Sequence, residues 1–413
     1  MLAHSPPLPL IVDYSDGDDD MTEDDEEGAI FALKQRDRIH RVRLFMSVTC
    51  LQKLIAVMNE EYPILEYLII EPLSEDGSTI LTLLPKTLQA PNLCHLSLAC
   101  FAPPIGSQLL TSSVGLTTLC LFNDVFMNDP STHANPNVLL RWLSFMPRLE
   151  MLVISFFFAV PEDEIERQLT LTPIITSVTL PNLRLLRFCG VSAYLEALVH
   201  RITAPRLEKL KIELFHQFTF SIPRLLQFMS TPKDLGFESA KFWFYDERVY
   251  VEVYPRGETE TYALSINIDC CHLDWQVTSV TQIFNPLGQM FSAVEHLTLQ
   301  HEEHSRSSEE HNEVDRTEWR KLLRSFRNVK TLYIGNGLVE QLSRCLVLED
   351  GELPLELLRE LQELTYSGSG DAGGAFTSFI DTRQNADRAI TLVRRSPSPD
   401  SPASSEAGND FDT

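Results

Sequence analysis

Two short stretches of this 413-residue chain contain the residue types that bind metal ions. His301-Glu302-Glu303-His304 offers imidazoles and carboxylates, but its histidines are three residues apart instead of the four found in zinc-dependent proteases. Cys270-Cys271-His272 lacks a second Cys/His pair at zinc-finger spacing. We therefore expect a solvated loop at the first stretch and no zinc site at the second.

Four glycines near the C-terminus could suggest a phosphate-binding loop. Gly368, Gly370, Gly373 and Gly374 surround Asp371, but no Lys-Ser/Thr pair accompanies them. This stretch predicts a flexible lead-in to the last helix. Because the chain also lacks a nucleophile elbow and a credible carboxylate pair, we expect no catalytic, cofactor-binding or metal site and no enzyme.

A third group of residues has charges suited to binding a protein. Arg187, Lys209, Lys211 and Lys241 lie at outward positions of strands that we predict to be neighbours, although the net charge is −24. Such cations could attract an acidic or phosphorylated partner. Alternatively, neighbouring carboxylates neutralise them, and the candidates for that role are Glu208, Glu213 and Glu238. Earlier strands present mostly uncharged residues outward, among them Tyr67 and Val153, which we also assign to the partner-binding face.

The elements that position these residues come from a repeated motif, Pro-x-Leu-x-x-Leu-x-Leu. Its five full copies start at Pro63, Pro91, Pro147, Pro181 and Pro205, and looser copies continue beyond them. The central apolar residues of the series average about 29 residues apart, near the spacing of leucine-rich repeats. They are Val42, Leu68, Leu96, Leu119, Leu152, Leu186, Leu210, Ala240, Ile266, Leu297, Leu332 and Leu364.

The motif fits a β-strand followed by a helix. Side chains alternate between the two faces of a strand, so the last two apolar residues of each motif point into the core. Helical patterns lie between the strands, as in Trp319, Leu322, Leu323 and Phe326. We therefore predict an α/β fold, an irregular leucine-rich-repeat solenoid with a curved parallel sheet backed by helices. A doubly wound α/β domain with leucine-rich strands remains the alternative.

Two further helices and one exception belong to this prediction. Leu139, Leu140, Leu143 and Met146 form a helical face after Asn137, a candidate N-cap. A second helical face contains Tyr194, Leu195, Leu198, Val199 and Ile202. The segment from Val249 to Ile268 predicts a β-hairpin that interrupts the repeats.

The ends of the chain differ from the repeats in composition. Between Asp13 and Glu27 ten residues are acidic, which is typical of a solvated, mobile segment. We predict a flexible acidic segment at 1–28, the repeat domain at 29–393 and a disordered Ser/Pro-rich tail at 394–413. Ser396, Ser398 and Ser401 each precede proline and are candidate phosphorylation sites.

Composition excludes several classes of partner. The net charge of −24 disfavours nucleic acid and anionic membrane surfaces, which require clusters of Lys and Arg. No stretch of 18 apolar residues and no signal peptide is present, so we expect no membrane association. The eight cysteines show no disulfide framework, which favours a reduced cytoplasmic or nuclear location.

Several stretches resemble one family. Leu8-Pro-Leu-Ile-Val12, Leu88-Gln-Ala-Pro-Asn-Leu93, Leu273-Asp-Trp-Gln-Val277 and Val329-Lys-Thr-Leu-Tyr333 are similar to F-box/leucine-rich-repeat-like proteins of mushroom-forming (basidiomycete) fungi. The resemblance covers roughly residues 8–393. It implies the substrate-recognition region of a Skp–cullin–F-box ubiquitin ligase. The sequence has no F-box motif near its start, so a Skp-type adaptor is expected only through that missing F-box. A free-standing repeat scaffold unrelated to ubiquitin is the alternative.

Overall fold

The computed structural model divides the chain into two compact units. It describes residues 8–14, 22–73, 82–104, 106–123, 136–156, 177–215, 217, 220, 222–229, 236–257, 260–301, 314–348, 356–367 and 374–395. Unit 1 comprises Met1–Leu235 with Ala263–Ile266, and unit 2 comprises Gly236–Tyr262 with Asn267–Thr413. The fold is α/β with mostly parallel strands backed by helices, as the repeat pattern predicts.

Unit 1 contains eight neighbouring strands that all run parallel. In sheet order they are β1 (Leu10–Tyr14), β2 (Ile39–Met46), β3 (Tyr67–Pro72), β5 (His95–Ala99), β7 (Thr118–Asn123), β8 (Met151–Phe156), β10 (Leu185–Gly190) and β12 (Lys209–Leu214). Two small pairs add β4 (Thr82–Leu83) with β6 (Phe101–Ala102) and β9 (Val178–Thr179) with β11 (Ile202–Thr203).

The central residues of the predicted repeats align across these strands. Val42 pairs with Leu68, and the row continues through Leu96, Leu119, Leu152, Leu186 and Leu210. All seven side chains are buried. Burying a leucine side chain contributes roughly 1.5–3 kcal/mol to the free energy of folding, so this row is a central part of the unit 1 core.

The described helices of unit 1 follow the strands in most repeats. They are α1 (Glu23–Leu33), α2 (Val48–Val57), α3 (Gln108–Ser112), α4 (Pro136–Leu143), α5 (Ser192–Val199) and α6 (Pro223–Met229). Their apolar residues pack on the side of the sheet that holds the buried leucines. Glu196 of α5 accepts hydrogen bonds from the backbone amides of Arg224 (2.7 Å) and Leu225 (2.8 Å), which joins it to the start of α6. We call the opposite side of the sheet, in each unit, the helix-free face, a name that refers only to the helices that the structure describes.

Unit 2 begins with the predicted departure from parallel repeats. β13 (Phe237–Phe244) pairs antiparallel with β14 (Arg248–Pro255) and parallel with β16 (His296–His301). β17 (Thr331–Ile334), β18 (Glu363–Ser367) and β19 (Thr391–Arg395) then add parallel strands. The second half of β15 (Leu264–Asp269) lies beside β14, as the predicted hairpin requires. The prediction does not include the antiparallel pairing of β14 with β13.

The core of unit 2 is aromatic where that of unit 1 is mainly leucine. Phe242 of β13 packs against Phe284 of α7 (Leu273–Leu287) at 5.2 Å and against Phe326 at 5.7 Å. Trp319 of α8 (Arg316–Arg324) packs on Phe244 at 5.5 Å. The other α-helices in the described part of unit 2 are α9 (Val339–Leu346) and α10 (Thr377–Asn385). The row of central repeat residues is again in register: Ala240, Leu297, Leu332, Leu364 and, beyond the prediction, Leu392.

A hydrogen bond from asparagine links successive repeats at the turn before each of three strands. Asn92 Nδ2 donates to the Pro63 carbonyl at 2.7 Å, and Asn182 Nδ2 donates to the Pro147 carbonyl at 3.2 Å. In unit 2, Asn328 Nδ2 donates to the Ser292 carbonyl at 2.6 Å. In each pair the acceptor belongs to the preceding repeat, where it lies one residue before the position that corresponds to the asparagine. The hydrogen bond therefore holds each repeat against the repeat before it.

Three sequence-based boundaries need correction. The acidic segment predicted to be flexible at 1–28 contains β1, and α1 begins within it at Glu23. The Thr22 hydroxyl accepts from the Asp25 amide at 3.2 Å, and acidic side chains in the first turn suit the positive end of the helix dipole. At the other end β19 extends to Arg395, two residues into the predicted tail. Asn137 lies inside α4 and is not its N-cap.

Candidate protein-binding surface

The helix-free face of unit 1 carries the outward residues of the repeats in aligned rows. One row runs through Ser97, Cys120, Val153, Arg187 and Lys211 on adjacent strands. Neighbouring strands are about 4.8 Å apart, so consecutive members of the row are neighbours in space. The alternation read from the sequence therefore places Arg187 beside Lys211.

Arg187, Lys209 and Lys211 form what we call the cationic patch. Glu213 Oε1 accepts a hydrogen bond from Arg187 Nη2 at 3.0 Å and lies 3.2 Å from Lys211 Nζ. Lys209 precedes Lys211 by two residues on β12 and has no ion pair with any residue that the structure describes. Arg187 and Lys211 thus share one carboxylate and Lys209 has none among the described residues, which leaves a local excess of positive charge on an acidic chain.

The predicted alternative, local neutralisation, holds for only part of the patch. Glu213 neutralises one of the three charges. Glu208 lies 3.6 Å from Arg184 in the turn before β10, and Glu238 lies 3.8 Å from Arg256 in unit 2. Two of the three candidate counter-charges are therefore paired with other arginines.

Lys241 does not belong to this patch. It lies on β13 in unit 2, between Glu252 of β14 and Thr298 of β16, and not on a strand next to β12. Its ammonium sits 4.4 Å from the ring centroid of Tyr254. The assignment of all four cations to neighbouring strands is wrong for this residue, because chain order does not give strand order where β13–β15 interrupt the repeats.

Val153 faces the predicted side but cannot contact a partner in this conformation. Its side chain is only 4% exposed and packs with Cys120 and Phe122. Burial raises the pKa of the Cys120 thiol to about 12, so this cysteine remains a neutral apolar group. The period-two pattern identifies the face of a strand but not whether other parts of the chain cover that face.

Tyr67 is half-buried in a stack across three strands. Its ring lies parallel to that of His95, with centroids 4.2 Å apart, and the Arg41 guanidinium lies 5.0 Å from the Tyr67 centroid. Burial, helped by the nearby charge of Arg41, lowers the pKa of His95 to about 4. Arg41 and Arg43 are outward residues of β2 that the candidate set omits, although the same alternation in Ile39–Met46 would have identified them.

The stretches with metal-binding residue types do not form a convincing site in the described residues. His301 ends β16, and Glu302–His304 lie outside the described residues. Cys270 is buried and Cys271 exposed, with no thiol or imidazole cluster around them in the part of the chain that is described. Glu238, Glu295 and His296 come close together, but Glu295 is already paired with Lys330 at 2.8 Å and Glu238 accepts from the Gly257 amide.

The candidate phosphorylation sites Ser396, Ser398 and Ser401 lie outside the described residues. Among the helices that are described, none has the length and apolar character needed to cross a membrane. No protein-family model matches the chain, and no curated protein matches it.

Proposed function

We propose that this chain is a leucine-rich-repeat solenoid that binds a protein partner and catalyses no reaction. The observation that supports the proposal is the cationic patch on the helix-free face of unit 1: Arg187 and Lys211 share the carboxylate of Glu213, and Lys209 has no carboxylate partner among the described residues. A surplus of positive charge on a chain of net charge −24 favours an acidic or phosphorylated partner in the cytoplasm or nucleus.

Charge reversal tests this patch. The double variant Arg187→Glu/Lys211→Glu should reduce capture of partners identified with the wild-type chain by at least about tenfold, since like charges would then face an acidic partner. Arg148→Glu/Arg184→Glu is the matched control, because these exposed arginines lie in the turns before β8 and β10. Equal capture by the two double variants would contradict the proposal.

Glu213 provides a test in the opposite direction. Glu213→Gln removes the one acidic group of the patch that contacts Arg187 and Lys211, so binding of the same partner should strengthen. Quantitative pull-down at two salt concentrations checks this, because the gain should shrink at high ionic strength. Weaker binding by this variant would mean that Glu213 itself contacts the partner.

The resemblance to F-box/leucine-rich-repeat-like proteins supports a more specific role as the substrate-recognition region of a Skp–cullin–F-box ubiquitin ligase. The alternative is a free-standing scaffold without any link to ubiquitin. Proximity labelling with the chain expressed from its own gene separates the two. Labelled Skp-type adaptor and cullin would support the ligase role, and partners without either protein would support the scaffold.

A further inference from the structure

The helix-free face of unit 2 contains a row of hydrogen-bond donors without acceptors. Lys241 of β13 pairs in register with Thr298 of β16, which pairs with Tyr333 of β17. Among the described residues, none of these three polar groups has a hydrogen-bond or ion-pair partner. We call these three residues the donor row. The next residue in register, Thr365 of β18, is not part of the donor row, because its hydroxyl donates to Glu363 at 2.9 Å.

Lys241 is held in place without being neutralised. Its ammonium lies over the Tyr254 ring at 4.4 Å, a cation–π contact that leaves the N–H donors available. No carboxylate in the described part of the chain lies within 4.0 Å of it. The Lys241 ammonium is partly exposed and has no carboxylate partner among the described residues, so an acidic group of another molecule can pair with it.

The nearest carboxylate is committed elsewhere. Glu252 lies opposite Lys241 on β14, but one of its oxygens accepts from the Tyr250 hydroxyl at 2.9 Å and the other accepts from the Tyr254 hydroxyl. Burial and the hydrogen bond to Glu252 raise the pKa of Tyr254, which keeps that phenol protonated as a donor. The acid of this face is therefore satisfied within the protein, and the base is not.

An aromatic pair adjoins the donor row. Trp243 lies two residues beyond Lys241 on β13, and its ring is 5.7 Å from that of Tyr250 on the neighbouring strand. Both side chains are half-buried. Trp and Tyr supply rigid apolar contact area at low entropic cost and are enriched among residues that dominate protein interfaces.

We propose that this face of unit 2 is a second recognition site, which binds a peptide segment with a carboxylate next to an aromatic or other large apolar side chain. The carboxylate accepts from Lys241 and Thr298, and the apolar side chain packs on Trp243 and Tyr250. Residues two apart on an extended strand are about 6.6–6.8 Å apart, so the acid and the apolar residue of the partner are adjacent or separated by one residue.

A random 12-residue peptide library displayed on phage and selected on the full chain provides the probe. We expect enriched peptides in which Asp or Glu adjoins an aromatic residue. The best of them, synthesised, should lose about tenfold or more in affinity with Lys241→Met and with Trp243→Ala, because charge-assisted hydrogen bonds and buried aromatic anchors dominate such contacts. Thr298→Val should have a smaller effect, about threefold.

Lys86→Met is the matched control, since Lys86 is an exposed lysine in the loop before β5, outside the cationic patch and the donor row. This variant should bind the selected peptide as the wild type does. Thermal unfolding of each variant separates loss of binding from loss of fold. The absence of enriched peptides, enrichment without an acidic residue, or unchanged binding by Lys241→Met would overturn the second site.

The proposed function of unit 1 can fail or stand separately. If the selected peptides bind Lys241→Met normally but lose affinity with Arg187→Glu/Lys211→Glu, the second site is wrong and the cationic patch is supported. If Lys241→Met abolishes binding and the patch variants do not alter capture of any partner, the reverse conclusion holds.

Discussion

The helix-free faces of unit 1 and unit 2 use the same repeat but satisfy their charged groups differently. In unit 1, Arg187 and Lys211 share a carboxylate on the strand that carries Lys211. In unit 2, the Lys241 ammonium rests on an aromatic ring while Glu252 accepts from two tyrosine hydroxyls. Outward residues do not contribute to the buried rows, so they can differ between units while the core stays constant.

The cores of the two units also differ, but less than their helix-free faces do. Unit 1 buries a row of leucines, and unit 2 adds clustered aromatic rings where α7 and α8 pack behind β13 and β16. Unit 2 also buries Arg383, whose guanidinium donates to the carbonyls of Leu358, Arg359 and Leu361 at 3.1 Å each. Both units thus share one framework, the repeated strand with its buried central residue, and unit 2 adds aromatic side chains and Arg383 to it.

The largest expected effect tests whether the two units share one framework. Leu186→Ala in unit 1 and Leu332→Ala in unit 2 each truncate a buried leucine of the central row. Each variant should lose roughly 2–5 kcal/mol of unfolding free energy, as the cavity adds to the lost transfer free energy. Urea denaturation measures this loss. An effect below about 1 kcal/mol in one unit alone would show that the frameworks differ.

The second prediction concerns the two carboxylates. Glu252→Gln removes the charged acceptor of two phenol hydrogen bonds and should destabilise the chain by about 2 kcal/mol. Glu213→Gln removes an ion pair near the surface and should change the unfolding free energy by less than about 1 kcal/mol. Urea denaturation of both variants decides this. Equal losses would break the distinction between an internal acid network in unit 2 and a surface pair in unit 1.

The third prediction uses the histidine in the stack of unit 1. Because the pKa of His95 is lowered to about 4 in the folded protein, the unfolded chain takes up a proton first as the pH falls below about 6.5. Stability should therefore decrease as the pH falls from about 6.5 to about 4, by less than the one-proton limit of about 1.4 kcal/mol per pH unit because solvent screens a half-buried group.

His95→Phe keeps an aromatic ring on Tyr67 and removes this titration. Thermal or urea unfolding at pH 7 and pH 5 should show a smaller difference for the variant than for the wild type. The same difference in both proteins would assign the pH dependence to other groups and would leave the stack of unit 1 without an electrostatic role.

The smallest effect concerns the turns that both units share. Asn92→Ala in unit 1 and Asn328→Ala in unit 2 each remove a hydrogen bond to the carbonyl of the preceding repeat. Each change should lower the unfolding free energy by about 1 kcal/mol. Similar losses would support equivalent turns in the two units, whereas a loss confined to Asn92→Ala would restrict the asparagine contact to unit 1.

Much of the fold follows from local spacing. The central residues from Val42 to Leu210 pair in the predicted order, because their alternation within a strand and their distance along the chain are local properties. The same alternation places Arg187 and Lys211 on the helix-free face. A local pattern also contains both strands of the hairpin near Val249, although it does not predict that β14 also pairs with β13.

The amino-acid sequence by itself thus determined the repeat, the buried row and the face on which each outward residue lies. Only the tertiary structure decided which of those residues meet: it assigned Lys241 and Arg187 to different units, buried Val153 and formed α1 within the acidic segment. The physical reason is the range of the interactions. Alternation acts between residues two apart, whereas strand order, burial of a second face and the partners of a charge depend on segments far apart in the chain.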